Sequence, residues 1–217
     1  MVSFSAFVIA LLLSMILVPP VIRLAYRYNF VDRPDPRKIH RKPVPRVGGI
    51  AMFAASLVAF LLLQKFTPLL AGYWIGALII VVAGILDDRY DLDYRIKFAA
   101  QISAIVLAIG IADVRVETFP FVLTDLPVPP LLGFGLALFF ILTVTNAVNL
   151  ADGLDGLAGG VALLSLLVIV LMAYQSGSSE IVFLGLALAG SIFGFLMFNS
   201  HPARLFMGDT GSQFIGF

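Results

Sequence analysis

Residues 66–91 have the sequence FTPLLAGYWIGALIIVVAGILDDRYD, a long charge-free run that ends abruptly in a group of acidic residues and one arginine. About 20 apolar residues in a helix are enough to cross the hydrocarbon core of a bilayer. This stretch therefore predicts a membrane-spanning helix with a polar cluster at one end. The same pattern recurs along the chain and decides the fold class.

The overall composition excludes a soluble domain. Hydrophobic residues make up 60% of the 217-residue chain and charged residues only 12%, with a mean hydropathy of +1.04. Soluble domains are nearer 45–50% apolar and about a quarter charged. The composition predicts an all-α polytopic membrane protein, with residues 1–217 forming a single integral membrane domain.

Several kinds of site are also excluded by residue counts. The chain has no cysteine, which excludes disulfides, zinc–thiolate sites and thiol nucleophiles, and its two histidines are too few for a histidine-rich metal site. The amino terminus lacks a basic region before the first apolar stretch, so this stretch is predicted to be a span rather than a cleaved signal peptide.

Seven spans are predicted from the charge-free runs, and the last residues of the chain are predicted to open an eighth. The predicted spans cover residues 2–22, 47–64, 66–86, 96–112, 131–150, 156–175 and 181–199. Residues 114–125 lie in the one long loop on the opposite side, and their alternating pattern predicts a short external β-hairpin.

The basic residues predict the orientation of these spans. Short cytoplasmic loops carry an excess of Lys and Arg. The loops predicted at residues 23–46, 87–95, 151–155 and 200–212 share one side and carry twelve basic residues, with Lys97 counted at the edge of its span. The other side has only Lys65 and Arg115. These loops are therefore predicted to be cytoplasmic, with the amino terminus outside.

The first polar cluster is the acidic run at residues 87–91, which contains Asp87, Asp88 and Asp91. Adjacent carboxylates repel, and each raises the pKa of the other unless a cation or a proton neutralises them. Such pairs are typical of Mg²⁺ sites and proton-transfer sites. A solvated loop at the end of a helix is the alternative interpretation.

The second cluster is in residues 146–160 and contains Asn146, Asn149, Asp152 and Asp155, each three residues from the next. This spacing places Asn146, Asn149 and Asp152 on one face of a helical end, where they can converge on a ligand, and Asp155 opens the sixth span. The glycines that follow allow a close backbone approach, and the start of the sixth span favours a phosphate. A helix N-cap would explain one aspartate, but not both acids and both asparagines.

Two further clusters flank the other spans. Asp209 lies between glycines in a short polar loop that suits a hard cation or a phosphate, and Phe206 could stack on a flat ring or simply anchor a helix. His201 is interpreted as structural. The first cytoplasmic loop contains Lys38 and His40 among many cations, most of which are attributed to topology and lipid headgroups.

With these residues in place, the sequence resembles the polyprenyl-phosphate N-acetylhexosamine-1-phosphate transferase family, glycosyltransferase family 4. These integral membrane enzymes move a sugar-1-phosphate from a UDP-sugar to a lipid phosphate and release UMP. The resemblance covers nearly the whole chain. It is carried by four motifs in family order, RKIH at 37–40, PRVGG at 45–49, DDRYD at 87–91 and FMGD at 206–209.

The resemblance implies a role for each matching position. Asp209 is expected to bind Mg²⁺, with Mn²⁺ as the alternative ion and Asp152 as a second candidate ligand. Asp87 and Asp88 match the essential pair that deprotonates the lipid phosphate or holds it near the metal. Phe206 is expected to stack on the uracil. The other expected substrate-binding residues are Lys38, His40, Asp91, Asn146, Asn149, Asp152 and Asp155, with Asp155 reading the uracil edge.

The resemblance also implies substrates, partners and location. Asp91, where the peptidoglycan-precursor branch has lysine, favours the branch that uses UDP-N-acetylglucosamine and undecaprenyl phosphate to prime O-antigen, teichoic acid and related glycans. A phospho-MurNAc-pentapeptide transferase is the alternative. The site is expected to face the cytoplasm from the inner (plasma) membrane, a homodimer is left open, and no nucleic acid partner is expected. The family continues beyond the position of Phe217, so the chain is expected to be a fragment.

Other classes fit the sequence less well. A transporter would place its polar residues near the bilayer midplane, whereas these clusters lie at the span ends on one face. A CDP-alcohol phosphotransferase would need an arginine that the motif beginning at Asp155 lacks. A membrane prenyltransferase would explain only the acidic run at 87–91.

Overall fold

The computed structural model of the protein describes residues 2–32, 34, 42–118 and 127–217. Within these ranges the chain forms eight helices and one pair of short strands. They are α1 Val2–Tyr28, β1 Val31–Asp32, β2 Val44–Pro45, α2 Gly48–Leu63, α3 Pro68–Tyr90, α4 Tyr94–Ala112, α5 Pro130–Ala151, α6 Leu157–Gln175, α7 Ser179–Asn199 and α8 Gly208–Gly216.

The helices confirm an all-α polytopic membrane protein. In the described ranges, six helices are long and apolar enough to cross a bilayer: α1, α3, α4, α5, α6 and α7. Helix α2 is equally apolar but has only 16 residues. A helix lies at the position of each predicted span, whereas the number of seven crossings stays a prediction.

Helix α8 lies in the interior of the bundle, packed against α2, α3 and α5. Most of its residues are buried, including Phe214 and the polar residues Thr210, Ser212 and Gln213. Glycines permit this close packing. A Cβ atom on Gly84 of α3 would lie 2.5 Å from the Thr210 Cα atom, and one on Gly49 of α2 would overlap the backbone of Gly211.

Two helix ends differ from the predicted loop boundaries. Helix α3 continues past residue 86 to Tyr90, because Asp91 adopts a left-handed conformation with φ of 52° and ends the helix there. Helix α8 begins at Gly208, within the loop predicted at 200–212. Glycine and threonine are weak helix formers, so the local sequence does not predict that α8 begins at Gly208. Tertiary contacts stabilise this helix start.

The strands were not predicted. Strands β1 and β2 pair antiparallel within the loop between α1 and α2, with Val31 opposite Pro45. The predicted hairpin at 114–125 lies partly outside the described residues, which omit 119–126. At its edges, Thr118 and Pro127 form an isolated antiparallel bridge, and the Val128 N–H donates to the Glu117 carbonyl at 2.9 Å.

Hydrogen bonds and ion pairs bring the ends of successive helices together at one end of the bundle. The last turn of α3 contacts the first turn of α8, and the last turn of α5 contacts α8. The Gly156 N–H, just before α6, donates to Asn199 at the end of α7. This shared end, which we call the polar end, contains the described members of the four sequence clusters.

Candidate active site

Three hydrogen bonds at the polar end join Asp88 of α3 to the first turn of α8. The backbone N–H of Asp209 donates to Asp88 Oδ1 at 2.9 Å. The N–H and the hydroxyl of Thr210 both donate to Asp88 Oδ2, at 3.0 and 2.6 Å. Asp88 therefore accepts hydrogen bonds on both carboxylate oxygens.

The side chain of Asp209 lies beside this contact and is 36% exposed. Asn149 near the end of α5 donates from Nδ2 to Asp209 Oδ1 at 2.9 Å and to the Ser212 hydroxyl at 2.8 Å. Asn149 thereby orients the carboxylate from one side. The other oxygen, Asp209 Oδ2, lies 3.4 Å from the ammonium of Lys97.

Lys97 of α4 also pairs with Asp87, which is only 4% exposed. The Lys97 Nζ atom is 2.6 Å from Asp87 Oδ2, and the Leu92 N–H donates to Asp87 Oδ1 at 2.9 Å. Lys97 thus bridges two acids from different helices. A buried carboxylate needs such a partner because an unpaired buried charge is costly.

Asp152 lies immediately after α5 and is half-buried. Burial and the negative charges of Asp209 and Asp88 together raise its pKa to about 6, with the Arg46 guanidinium opposing the shift. Among the described residues, no donor makes a hydrogen bond to this carboxylate. Its environment therefore favours a proton or a cation.

The pKa of Asp209 is shifted the other way. Burial alone would raise it, but hydrogen bonds with Asp87 and Asn149 and the charge of Lys97 hold the pKa of Asp209 below its ordinary value. Asp209 is therefore an anion at neutral pH and available as a ligand for a cation.

The donor set fits Mg²⁺ bound mainly through water and substrate. Mg²⁺ commonly uses one or two carboxylates and keeps several waters or takes phosphate oxygens. The partly exposed carboxylate of Asp209 and the carboxylate of Asp152, to which no described donor makes a hydrogen bond, are candidates for these ligands. No group of three or more His, Cys, Asp or Glu residues that could hold a metal occurs within the described ranges, so a complete protein cage is not formed there.

Asn146 points into a different network. Its amide Nδ2 donates to Gln101 Oε1 and to the Leu142 carbonyl, both at 2.8 Å. Gln101 in turn donates to Gln213 of α8 at 3.1 Å. These side-chain amides link α4, α5 and α8, so the structure gives Asn146 an interhelical contact beside its predicted role in substrate binding.

Asp155 is held by the loop that follows α7. Its Oδ2 atom accepts from the Ala203 N–H at 3.0 Å and lies 3.0 Å from His201 Nδ1, whose ring is 82% exposed. Asn199 supports the same loop by donating to the Leu205 carbonyl at 2.8 Å. The uracil contact predicted for Asp155 stays a prediction.

The remaining predicted site residues lie at the edge of the polar end. Phe206 is half-buried, and its backbone bonds to Pro45 and Gly48 tie the loop before α8 to the start of α2. Asp91 is exposed at the end of α3. Lys38 and His40 lie outside the described residues, so their roles also stay predictions.

Two basic residues at the polar end, Lys97 and Arg46, were not predicted from the sequence to be site residues. Lys97 was only counted at the edge of its span, and Arg46 was counted among the basic residues of the loop at 23–46. Arg46 also forms a 3.1 Å ion pair with Asp32. Lys97 lies only a few residues after the acidic run at 87–91. Because short connections place neighbouring helix ends together, this closeness in sequence could have predicted that Lys97 lies near the acids.

This arrangement defines a polytopic membrane protein with an acidic site at one end of its helix bundle. Comparison with known sequences gives the class, since the profile described as Glycosyl transferase family 4 matches residues 70–217. The chain belongs to this family, which confirms the resemblance carried by the motifs.

Curated relatives match over most of the chain. The "Probable undecaprenyl-phosphate N-acetylglucosaminyl 1-phosphate transferase" of Bacillus subtilis (strain 168) is 39% identical, across 98% of this chain and 60% of the relative. The "Decaprenyl-phosphate N-acetylglucosaminephosphotransferase" of Mycolicibacterium smegmatis is 34% identical, across 89% and 52%. The "Undecaprenyl-phosphate alpha-N-acetylglucosaminyl 1-phosphate transferase" of Yersinia pestis is 31% identical, across 90% and 55%. The chain thus spans between half and three-fifths of these relatives.

Proposed function

We propose that the protein transfers N-acetylglucosamine-1-phosphate from UDP-N-acetylglucosamine to undecaprenyl phosphate and releases UMP. The names of the relatives in Bacillus subtilis and Yersinia pestis, together with membership of the family, support this substrate pair. The product would be the first lipid-linked sugar of a cell-envelope glycan.

The observation that carries the proposal is the convergence of acids and amides from α3, α5 and α8 at one end of a membrane bundle. Asp209 is held by Asn149, and its helix start is held by Asp88. A site at the end of the spans suits a water-soluble nucleotide sugar and a lipid whose phosphate lies at headgroup depth. The excess of Lys and Arg in the loops on this side supports a cytoplasmic location.

The reaction is a phosphoryl transfer between two anions. An oxygen of the lipid phosphate attacks the phosphorus attached to the sugar, the bond to the bridging oxygen breaks, and that oxygen leaves with UMP. Enzymes accelerate such transfers mainly by positioning the reactants and neutralising their charge. In the proposed site, Asp209 and Asp152 would hold Mg²⁺, which when bound screens the repulsion and stabilises the leaving phosphate.

The other side chains of the site have separate roles in the proposed reaction. Lys97 reaches both Asp87 and Asp209 and keeps a positive charge where phosphates would arrive. Asn149 orients Asp209, and the carboxylate of Asp152, to which no described donor makes a hydrogen bond, favours a cation beside it. Asp87 lies next to this group and is the candidate to accept a proton from, or to position, the lipid phosphate.

The test is Mg²⁺-dependent UMP release from UDP-N-acetylglucosamine and undecaprenyl phosphate, with the 217-residue chain in detergent and the longer Bacillus subtilis relative as a positive control. We expect release that EDTA abolishes and added Mg²⁺ restores. Release only with UDP-MurNAc-pentapeptide would overturn the sugar assignment in favour of the peptidoglycan-precursor reaction. Substrate uptake into proteoliposomes without UMP release would instead support a transporter.

A silent chain beside an active relative would show that this chain does not catalyse the transfer by itself. Binding of UDP-N-acetylglucosamine would then be measured separately from its transfer. Calorimetric titration of the chain with UDP-N-acetylglucosamine in the presence of Mg²⁺ should give a saturable signal that Asp209→Asn weakens. No binding and no release would overturn the proposed function for this chain.

A further inference from the structure

We propose that Asp88 is a positioning residue whose carboxylate caps the N-terminus of α8 from the neighbouring helix α3 and thereby fixes the catalytic-site ligand Asp209. Its connection to transfer rests on the proposed function, whereas the cap itself does not. This role differs from that of a base that contacts the lipid phosphate, which the family resemblance implies for Asp87 or Asp88.

The first turn of α8 lacks a cap of its own. The N-cap residue is Met207, whose side chain makes no capping hydrogen bond. The first N–H groups of a helix have no partner within the helix, and a Ser, Thr, Asp or Asn side chain at the N-cap usually supplies one. In this protein the acceptor comes from α3, since Asp88 accepts from the backbone N–H groups of Asp209 and Thr210.

The geometry leaves little capacity on Asp88 for another task. The Thr210 hydroxyl adds a third bond at 2.6 Å to Oδ2, so each carboxylate oxygen is engaged by the start of α8. The positive end of the helix dipole also favours an anion at this place. These three hydrogen bonds favour the charged carboxylate, because a proton on Asp88 would weaken the cap.

The backbone around the contact is shaped to admit this carboxylate. Gly208 has a φ of 72°, and a Cβ atom there would lie 2.7 Å from Asp88 Oδ2. Gly84, one turn before Asp88, allows α3 to approach the Thr210 backbone. Both glycines are therefore needed at the place where Asp88 meets α8, which indicates that the contact is a built feature of the fold.

Asp87 has different contacts although it is adjacent in sequence. It pairs with Lys97 and accepts from the Leu92 N–H, and within the described part of the chain no backbone N–H of α8 donates to it. Successive residues on a helix point about 100° apart, so the two carboxylates of the pair serve different neighbours. Asp87→Asn is therefore a matched control that removes a charge of equal size without removing the cap.

The cap determines where Asp209 lies. The N–H of Asp209 is one of the two capped amides, so the bond to Asp88 fixes the backbone from which the Asp209 carboxylate projects. Asn149 then sets the rotation of that carboxylate. Loss of the cap should allow the first turn of α8 to fray and move Asp209 away from Asn149 and Lys97.

The first experiment measures hydrogen–deuterium exchange of the segment 208–213 in the full chain in detergent. We expect Asp88→Asn to speed exchange in this segment by about tenfold or more, as for loss of hydrogen bonds to a charged group. Thr210→Val should speed it by a smaller factor, Thr210→Ser should not, and Asp87→Asn should leave it within about twofold. Unchanged exchange in Asp88→Asn would overturn the cap.

The second experiment compares UMP release as a function of Mg²⁺ concentration and pH. We expect Asp88→Asn to raise the Mg²⁺ concentration for half-maximal rate and to lower kcat, while the pH–rate profile keeps the same limbs. Loss of one limb would identify Asp88 as the base and overturn the proposal. An unchanged Mg²⁺ requirement with faster exchange would confine Asp88 to a structural role and also overturn its link to Asp209.

The two experiments separate this proposal from the proposed function. If the unmodified chain neither releases UMP nor binds UDP-N-acetylglucosamine, the proposed function fails, and Mg²⁺ binding measured by calorimetry replaces the kinetic readout. Asp88→Asn should then weaken Mg²⁺ binding by the same mechanism. Equal Mg²⁺ affinity in the two proteins would overturn the positioning role even without an assay of transfer.

Discussion

Asn146 and Asn149 lie one turn apart on α5, yet their amides serve different neighbours. Asn149 donates to Asp209 and Ser212, whereas Asn146 donates to Gln101. The spacing of the two asparagines predicted one shared face, but it could not predict which neighbour each amide meets. That assignment depends on how α4 and α8 pack against α5, which no local pattern in the sequence specifies.

We expect Asn149→Ala and Asn146→Ala to affect different properties. Loss of Asn149 should lower kcat/KM for UMP release by roughly 10–100-fold, because it frees the Asp209 carboxylate, as for residues that orient metal ligands. Loss of Asn146 should lower the free energy of unfolding by about 1–3 kcal/mol, because Gln101 loses a buried partner. Steady-state kinetics and thermal unfolding in detergent check both.

Each asparagine variant is the control for the other, since both remove the same type of side chain from the same helix. Equal loss of activity in both variants, with equal stability, would show that Asn146 also contacts substrate. This outcome would restore the role predicted for Asn146 from sequence.

We expect Asp209→Asn to abolish Mg²⁺-dependent UMP release while the protein stays folded. The substitution removes the anionic oxygen but keeps a side chain of the same shape, and loss of about a hundredfold or more in rate is expected when a metal site is disturbed. Asp113→Asn provides a matched control, since its side chain is 82% exposed and lies in the loop after α4, at the end of the bundle away from the site. Retained activity in a folded Asp209→Asn protein would remove the metal assignment.

At the scale of helices, hydropathy predicted most of the fold because each span is a long apolar run bounded by charges. The sequence could not predict the start of α8, since Gly208-Asp-Thr-Gly has low helix propensity and is stabilised by Asp88 from another helix. Strands β1 and β2 were missed for a similar reason. Two residues in each strand give too short a pattern to detect.

Packing of α3 against α8 supplies the prediction at this scale. We expect Gly84→Ala to lower the free energy of unfolding by about 1–3 kcal/mol, as for overpacking, and to reduce activity, because its Cβ would press on the Thr210 backbone. Gly135→Ala in α5 is the control, since no atom lies within 4 Å of its added Cβ. Helix propensity should make that variant more stable by up to about 1 kcal/mol.

The two alanine variants are measured together by thermal unfolding in one detergent, with UMP release recorded for each. A Gly84→Ala protein as stable and active as Gly135→Ala would mean that α3 and α8 are less closely packed than described. The cap formed by Asp88 would then need a longer hydrogen bond than the observed 2.9 Å.

At the scale of the whole molecule, the site is made from residues far apart in the chain. Asp87, Asn149 and Asp209 come from three helices, and their meeting requires that α3, α5 and α8 place the correct ends together. Alternation of spans predicted that all the clusters share one side of the membrane. It could not predict that Lys97 would pair with both Asp87 and Asp209, because such a pair depends on distances of a few ångströms.

The side of the membrane that this polar end faces is the last property to test. Twelve of the 14 Lys and Arg residues belong to loops or span edges predicted to lie on the side of the polar end, so we expect that end to face the cytoplasm.

The chain has no cysteine, which makes single-cysteine labelling direct. An impermeant maleimide added to intact cells should label Arg115→Cys but label Arg95→Cys only after the membrane is opened. Residue 95 lies in the first turn of α4 and residue 115 follows its last turn, so one helix provides both the test position and its control. The reverse pattern would place the acidic site outside, where a cytoplasmic nucleotide sugar could not reach it, and would contradict the proposed reaction together with the orientation.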